Sequence, residues 1–269
     1  MKYLNNEIQV KYDINNCPYF LKHPSWWENI ENYEVDTLNV IKKFSNKNKN
    51  FIDVGGWYGF MSIYGSHFYK SVSVIEGDPV SVKALKSNLD INECNNVNVI
   101  DYILADYDGI IKFGGNGELG NAESSILINN DKYLTDEKAI KNHRFNNEDY
   151  VLKDIIESKC ITIKKLVEIL NKYEESYVSN IELMKIDIEG GERIILKELI
   201  DVITNKNSGI KIFISLHWIF LTLDEIKYCV SLLNNNFNYL YDKKFNRITP
   251  DDIIKNKIHD ILCTNIIIE

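Results

Sequence analysis

From residue 50 onward, short apolar runs rich in β-branched residues alternate with segments of helical periodicity. That alternation constrains the chain more than any other feature. A strand, a helix and a second strand in succession build a parallel sheet with helices on its faces. "NFIDV" (50–54) reads as a buried strand and 57–68 as a helix opened by a glycine turn. "SVSVIE" (71–76) is the next strand. The helix after it starts with Asp78 as N-cap and Pro79 at its first position, and Val82, Leu85 and Leu89 share a face. "VNVIDYILA" (97–105) is a third strand, with "GIIKF" (109–113) as a short hairpin partner. Order returns at 162, where Ile163, Leu166, Val167 and Leu170 repeat at helical spacing behind Thr162. "IELMKIDI" (181–188), the helix "GERIILKELIDVI" and "IKIFISLHW" (210–218) continue the pattern. Thr222 and Glu225 then form a capping box that opens a further helix. "FNYLYD" (237–242) and "DILCTNIII" (260–268) follow with no full helix read between them, so they are expected to pair antiparallel or to sit apart.

Two regions stand outside this rhythm. Residues 1–48 read as a helical preface packed on the core that follows, 49–269, with Trp26 and Trp27 as core anchors or, as a second reading, a sugar-stacking platform. Residues 114–160 are glycine-rich and then polar, which marks a lid, a substrate loop or a partly disordered insertion. His143 and Arg144 within it are candidates for substrate contact.

The formal charge is −8, with 39 acidic against 31 basic residues, so bulk electrostatics repels nucleic acid. The lysines at 42–49 and 164–165 read as solvated surface. Cys17, Cys94, Cys160, Cys229 and Cys263 are dispersed without a CxxC pair, against both a disulfide framework and a zinc site. No apolar run approaches the roughly 20 residues of a membrane span, and the first residues lack the apolar core of a signal peptide. The expectation is a cytoplasmic protein with no stable membrane insertion and no nucleic-acid partner.

Chemistry enters at "DVGGWYG" (53–59), which places Asp53, Gly55, Gly56, Trp57, Tyr58 and Gly59 at a strand-to-helix turn. Glycines there let a ligand approach the backbone, and the following helix offers its N-terminal amides. Neither G-x-G-x-x-G nor a Walker lysine is present, which argues against NAD and ATP. Glu76 stands 23 residues after Asp53, at the end of the second strand in "VIEGDP". A carboxylate at that tip accepts hydrogen bonds from ribose hydroxyls. A ribose acceptor without a diphosphate signature fits S-adenosylmethionine.

"FIDVGGWYGF", "VIEGDP", "ILADYDGIIKF", "SS" at 124–125, "ITIKKLVE" and "LMKIDIEGGERIIL" follow one another in an order that resembles the FkbM family of S-adenosylmethionine-dependent methyltransferases. The resemblance covers about residues 50–217. Lys185, Asp187, Glu189, Gly190 and Glu192 match the family's late signature, lysine-isoleucine-aspartate-valine-glutamate-glycine-alanine-glutamate. The chain departs from the pattern at Gly56 and Trp57, where alanine and asparagine are common. It departs again at Gly77, where proline often follows the glutamate, and at Gly191, in the alanine position. The resemblance implies a Rossmann-like, seven-stranded, mostly parallel sheet with helices on both faces and an antiparallel final strand. It also implies a methyl acceptor that is a hydroxyl of a carbohydrate or glycosylated product, such as a cell-surface polysaccharide precursor.

Methyl transfer from a sulfonium asks the protein for alignment and for a group that takes the acceptor proton. Asp187 is the first candidate and His217, at the end of the next strand, the second; Lys185 shares a strand face with Asp187. Trp57 and Tyr58 are placed to flank the sulfonium, and Asp106 to meet the adenine. Ser124, Ser125, Glu189 and Glu192 are candidates for substrate contact. No metal is expected, because Asp187, Glu189 and Glu192 lack a convincing ligand spacing. The rival readings are a lipid or polyketide hydroxyl as acceptor, a nucleic-acid methyltransferase, and a non-catalytic cofactor-binding protein.

Overall fold

The structure is a computed structural model that describes all residues except 1, 6, 117, 127, 130, 131, 134–151 and 269. Much of the 114–160 insertion, with His143 and Arg144, lies outside the described residues.

The chain opens with a hairpin, β1 (Lys2–Leu4) and β2 (Ile8–Val10), then α1 (Pro18–Lys22), α2 (Pro24–Glu28) and α3 (Val35–Lys43). The alternating core follows: β3 (Asn46–Val54), α4 (Phe60–Ser66), β4 (Tyr69–Ile75), α5 (Pro79–Ile91) and β5 (Val97–Ile100). A second set of strands interrupts it: β6 (Ile103–Leu104), β7 (Gly109–Asn116), β8 (Ser125–Ile126), β9 (Ile128–Asn129), β10 (Lys132–Tyr133) and β11 (Leu152–Ile161). The core then resumes as α6 (Ile163–Tyr173), β12 (Ile181–Ile186), α7 (Glu192–Leu199), β13 (Lys211–Ser215) and α8 (Leu223–Asn236). It ends as β14 (Tyr239–Asp242), α9 (Pro250–Asn256) and β15 (Asp260–Thr264).

Seven strands form the central sheet in the order β14-β15-β13-β12-β3-β4-β5. β13, β12, β3, β4 and β5 pair parallel, whereas β15 lies antiparallel between β13 and β14. The architecture is therefore α/β and Rossmann-like, with one reversed strand near an edge. The chain builds outward from β3 through β4 to β5, then returns to the other side of β3 with β12. The order reverses between β3 and β12, the position where open α/β sheets form a crevice at their carboxyl ends.

Both sheet faces are covered. Ile52, Val54, Met184, Ile186, Ile212 and Ile214 share one core with α6, α7 and α8. Phe51, Leu183, Phe213, Val72 and Val74 face the other way and pack with Phe20, Ile30, Leu38 and Ile41 of the N-terminal region. The first 48 residues thus cover the second face of the sheet, and they include a hairpin as well as helices. Those strands are three residues each, too short for period-2 alternation to register.

Three further boundaries differ from expectation. The third strand ends at Ile100; β6 pairs with β11 in a separate four-stranded sheet, and the chain turns out of the main sheet at Asp101 and Tyr102. The helix after the glycine turn begins at Phe60 rather than at 57. A short helix, α9, stands between the last two strands, opened by a Thr249–Asp252 capping box. Among the described residues no helix is long and apolar enough to cross a membrane.

Candidate active site

A cavity of about 810 Å³ opens at the carboxyl ends of β3, β4, β12 and β13, within the roughly 300–1,000 Å³ of small-molecule sites. Glu76, Asp187, Glu189, His217, Lys185 and Trp57 all line it, and so do the backbones of Gly55 and Gly56.

The glycines of the turn also make room for their own neighbours. A Cβ on Gly55 (φ +80) would collide with the Asp187 carbonyl, one on Gly56 with Val74, and one on Gly59 (φ +93) with Leu85. The missing side chains make room for neighbouring strands and α5, and Gly59 does not line the cavity. The turn amides are also committed: Gly55 and Gly56 donate to the Ile75 carbonyl, Gly59 to Gly56, and Trp57 to Glu76 Oε2 at 2.8 Å. Those four donors are therefore spent within the protein and not held open toward a phosphate. Gly55→Ala should cost about 2–5 kcal/mol, combining left-handed strain with a collision against backbone. Urea denaturation measures this, and a loss below about 1 kcal/mol would mean the turn relaxes freely.

Glu76 caps the tip of β4, where its Oε1 also accepts from the Asp78 amide at 2.8 Å. Burial pushes its carboxyl up to about 7. Beside it, Asp78 caps α5 and draws in the glycine-rich segment: its Oδ2 accepts from the Gly120 amide (2.6 Å) and the Ser124 hydroxyl (2.9 Å). Trp57 Nε1 donates to the Gly120 carbonyl at 2.9 Å, so residues 120–124 are held across the cavity from both sides. Ser124 lines the cavity, whereas Ser125 is buried outside its wall and donates to the Glu189 carbonyl at 2.6 Å.

The charged centre comes from register. β12 pairs with β3 so that Lys185 stands opposite Asp53. Lys185 is 3% exposed, and its Nζ lies 3.3 Å from Asp53 Oδ1, from Asp187 Oδ2 and from the Gly55 carbonyl. Asp53, fully buried and also accepting from Ser62 Oγ at 2.7 Å, does not line the cavity. It anchors Lys185 instead of meeting a ligand. Burial opposes both the Lys185 and Asp187 charges. The mutual attraction outweighs it, raising the lysine and holding the Asp187 carboxyl well below the usual carboxylate range.

His217, at the carboxyl end of β13, converges on Asp187 as the strand order allows. Its Nε2 lies 3.2 Å from Asp187 Oδ1 and 3.2 Å from Glu189 Oε1. Its Nδ1 lies 2.7 Å from Glu192 Oε1. Burial lowers its basicity, but the surrounding carboxylates, Glu192 first, raise it well above the ordinary histidine value. Glu192 is fully buried behind the imidazole and outside the cavity wall, so it orients His217 and meets no substrate. Three non-glycine residues of the wall, Glu34, Trp57 and Glu189, have left-handed backbones (φ 45, 44 and 53), the kind of strain that persists where surrounding structure imposes it.

Two other candidates lie elsewhere. Tyr58 is fully buried and stacks on Trp57 with 4.6 Å between centroids, away from the cavity. Asp106 is exposed outside the cavity wall, because β5 ends early and Tyr102, Ile103 and Leu104 take that side of the wall. Conversely, the cavity includes Tyr19, Trp26, Tyr33 and Glu34 from the N-terminal region, and His259 and Asp260 from β15 and the residue before it. The His259 and His217 rings lie 4.7 Å apart. The paired tryptophans in "PSWW" were the available signal for Trp26; nothing local in the sequence marks Glu34 or His259.

No family model matches the chain, and no curated protein matches it. Among solved structures, it is similar to precorrin-6y C5,15-methyltransferase from Geobacter metallireducens GS-15, at 14% identity and a TM-score of 0.42 over 77% of this chain and 72% of that one. It is also similar to an rRNA methylase from Streptococcus thermophilus, at 10% identity and 0.42 over 84% and 90%. An O-methyltransferase from Bacillus cereus in complex with SAH matches at 11% identity and 0.35 over 78% and 69%.

Proposed function

We propose that this protein is an S-adenosylmethionine-dependent O-methyltransferase whose acceptor is a hydroxyl of a carbohydrate or glycosylated molecule. One observation carries the reading. A single cavity at the strand-order reversal joins a buried carboxylate at the tip of β4, Glu76, to the Asp187–His217 pair at the tips of β12 and β13. In the turn between them the amides of Gly55, Gly56, Trp57 and Gly59 are engaged within the protein.

The residues fit the cofactor. Glu76 would accept from the ribose hydroxyls, Tyr102, Ile103 and Leu104 give an apolar wall for the adenine, and the Gly55–Trp57 backbone borders the methionine side. When bound, S-adenosylmethionine supplies a methyl group already activated on sulfonium. The chain's part is to align the acceptor and take its proton, the role of Asp187, whose carboxylate Lys185 and His217 hold in place. Residues 120–124 serve as the lid that their attachment to Asp78 and Trp57 suggests. Tyr19, Trp26 and Tyr33 support the acceptor class, since aromatic faces on one cavity wall suit the apolar face of a sugar ring. The order of motifs shared with the FkbM family points the same way.

Calorimetric titration with S-adenosylhomocysteine, beside NAD⁺ and ATP, tests the cofactor: saturable binding of the first alone is expected. Glu76→Ala should weaken it by about 1.5–3 kcal/mol, tenfold or more. Protonated Glu76 loses acceptor capacity, so wild-type affinity should hold above about pH 7 and fall as the pH drops through that value. Glu76→Gln should bind weakly without that pH step. Unchanged affinity in Glu76→Ala would refute the ribose assignment.

A further inference from the structure

We infer that Asp187, Glu189 and His217 form a binding site for one divalent transition-metal ion on the cavity wall. The three side chains each present one ligand atom, and these atoms lie within 4.8 Å of one another. The imidazole Nε2 sits 3.2 Å from a carboxylate oxygen of each partner. Ligand atoms at about 2.1 Å from a common ion are about 3.0–3.5 Å apart, a range that both imidazole–carboxylate spacings already meet.

The set is more than an acidic cluster because of what stands behind the histidine. Glu192 Oε1 accepts from the Ile188 amide at 3.2 Å and meets His217 Nδ1 at 2.7 Å. A carboxylate held there accepts, so the Nδ1 proton belongs on the Glu192 side and Nε2 faces Asp187 and Glu189. A histidine oriented by a buried carboxylate at one nitrogen, with the other aimed at the ligand position, is the outer-shell arrangement of metal-binding imidazoles. Charge gives a second, independent reason. Asp53, Asp187, Glu189 and Glu192 crowd the site and Glu34 lines the same cavity, while of the two lysines on the wall Lys243 is paired with Asp260. Lys185 is already shared by Asp53 and Asp187.

Two carboxylates with one imidazole suit a first-row transition-metal ion such as Mn²⁺, Fe²⁺ or Zn²⁺ better than Ca²⁺, which takes oxygen ligands alone. Three protein ligands leave positions open toward the cavity. The geometry stands apart from the methyl-transfer reading; only the consequence rests on it, namely that a cation there would polarise the acceptor oxygen and ease loss of its proton.

The probe is Mn²⁺, added to chelator-treated full-length protein and followed by electron paramagnetic resonance. One Mn²⁺ per chain is expected. His217→Ala and Glu189→Gln should each weaken it at least tenfold, and Glu192→Gln by about 10–100-fold through misorientation of the imidazole. Asp224→Asn, on the exposed start of α8, should leave it unchanged. Should the site variants fail to fold, the wild type still decides: Mn²⁺ bound here must show nitrogen coupling from an imidazole in its spin-echo spectrum. Absence of that coupling, or binding that survives His217→Ala and Glu189→Gln, overturns the site. Titration of the same samples with S-adenosylhomocysteine separates the two readings. Cofactor binding without Mn²⁺ binding removes the cation alone, and Mn²⁺ binding without cofactor binding supports the cation while refuting the cofactor.

Discussion

Asp187→Asn should lower turnover by about 10²–10⁴-fold while S-adenosylhomocysteine binds as before. The substitution keeps the shape of the side chain and removes its charge. In the wild type that charge is held on the carboxylate by Lys185 at 3.3 Å and by His217 at 3.2 Å. The amide leaves Lys185 with Asp53 and the Gly55 carbonyl, so the glycine turn and Glu76 stay in place. The acceptor hydroxyl, however, loses an ionised partner, whether that partner acts as base or helps to hold a cation. Single-turnover methyl transfer from radiolabelled cofactor, beside calorimetry, checks both halves. If affinity and rate fall together, Asp187 acts on the fold of the turn. If the rate survives, the proton goes elsewhere, and His217→Ala becomes the deciding variant.

Lys185→Ala should destabilise the protein by about 3–5 kcal/mol, the cost of leaving buried carboxylates without their counter-charge. The lysine is almost fully enclosed, Asp53 beside it has no exposure, and both sit in adjacent central strands. Surface ion pairs in this chain, such as Lys86–Asp101, should contribute far less, because both partners are about half exposed. Urea denaturation of Lys185→Ala, Asp53→Asn and the double variant separates the lost pair from the lost packing. The double variant should be less impaired than the sum of the singles. Strict additivity, or a loss below about 1 kcal/mol for Lys185→Ala, would show that the pair contributes little.

Much of the scaffold was legible because parallel strands and amphipathic helices have periods that a sequence displays. Thr162, Thr222 and Asp78 cap helices where their side chains predicted, since capping is decided within four residues. The end of β5 was not legible. "VNVIDYILA" is apolar throughout, and only the pairing of β6 with β11, about 55 residues later, divides it; Asp106 left the site with that division. The glycines of "DVGGWYG" were visible, yet their purpose was not, because the atoms that would collide with a Cβ come from Asp187, Val74 and Leu85. Alternation placed Lys185 and Asp187 on one face. It could not place Asp53 opposite Lys185, or Glu192 behind His217, since register and helix-to-strand contacts are long-range.

The sequence by itself determined the α/β class, the order of most strands and helices, and the acidic and imidazole groups at strand ends, because each of these is written in local spacing. Tertiary structure alone decided which of those groups meet. It set Glu76 across one cavity from Asp187 and His217, turned Asp53 and Glu192 inward as supports, and brought N-terminal aromatics to the wall. The physical reason is that charge pairing and cavity shape depend on distances between residues far apart in the chain, which only the packed sheet fixes.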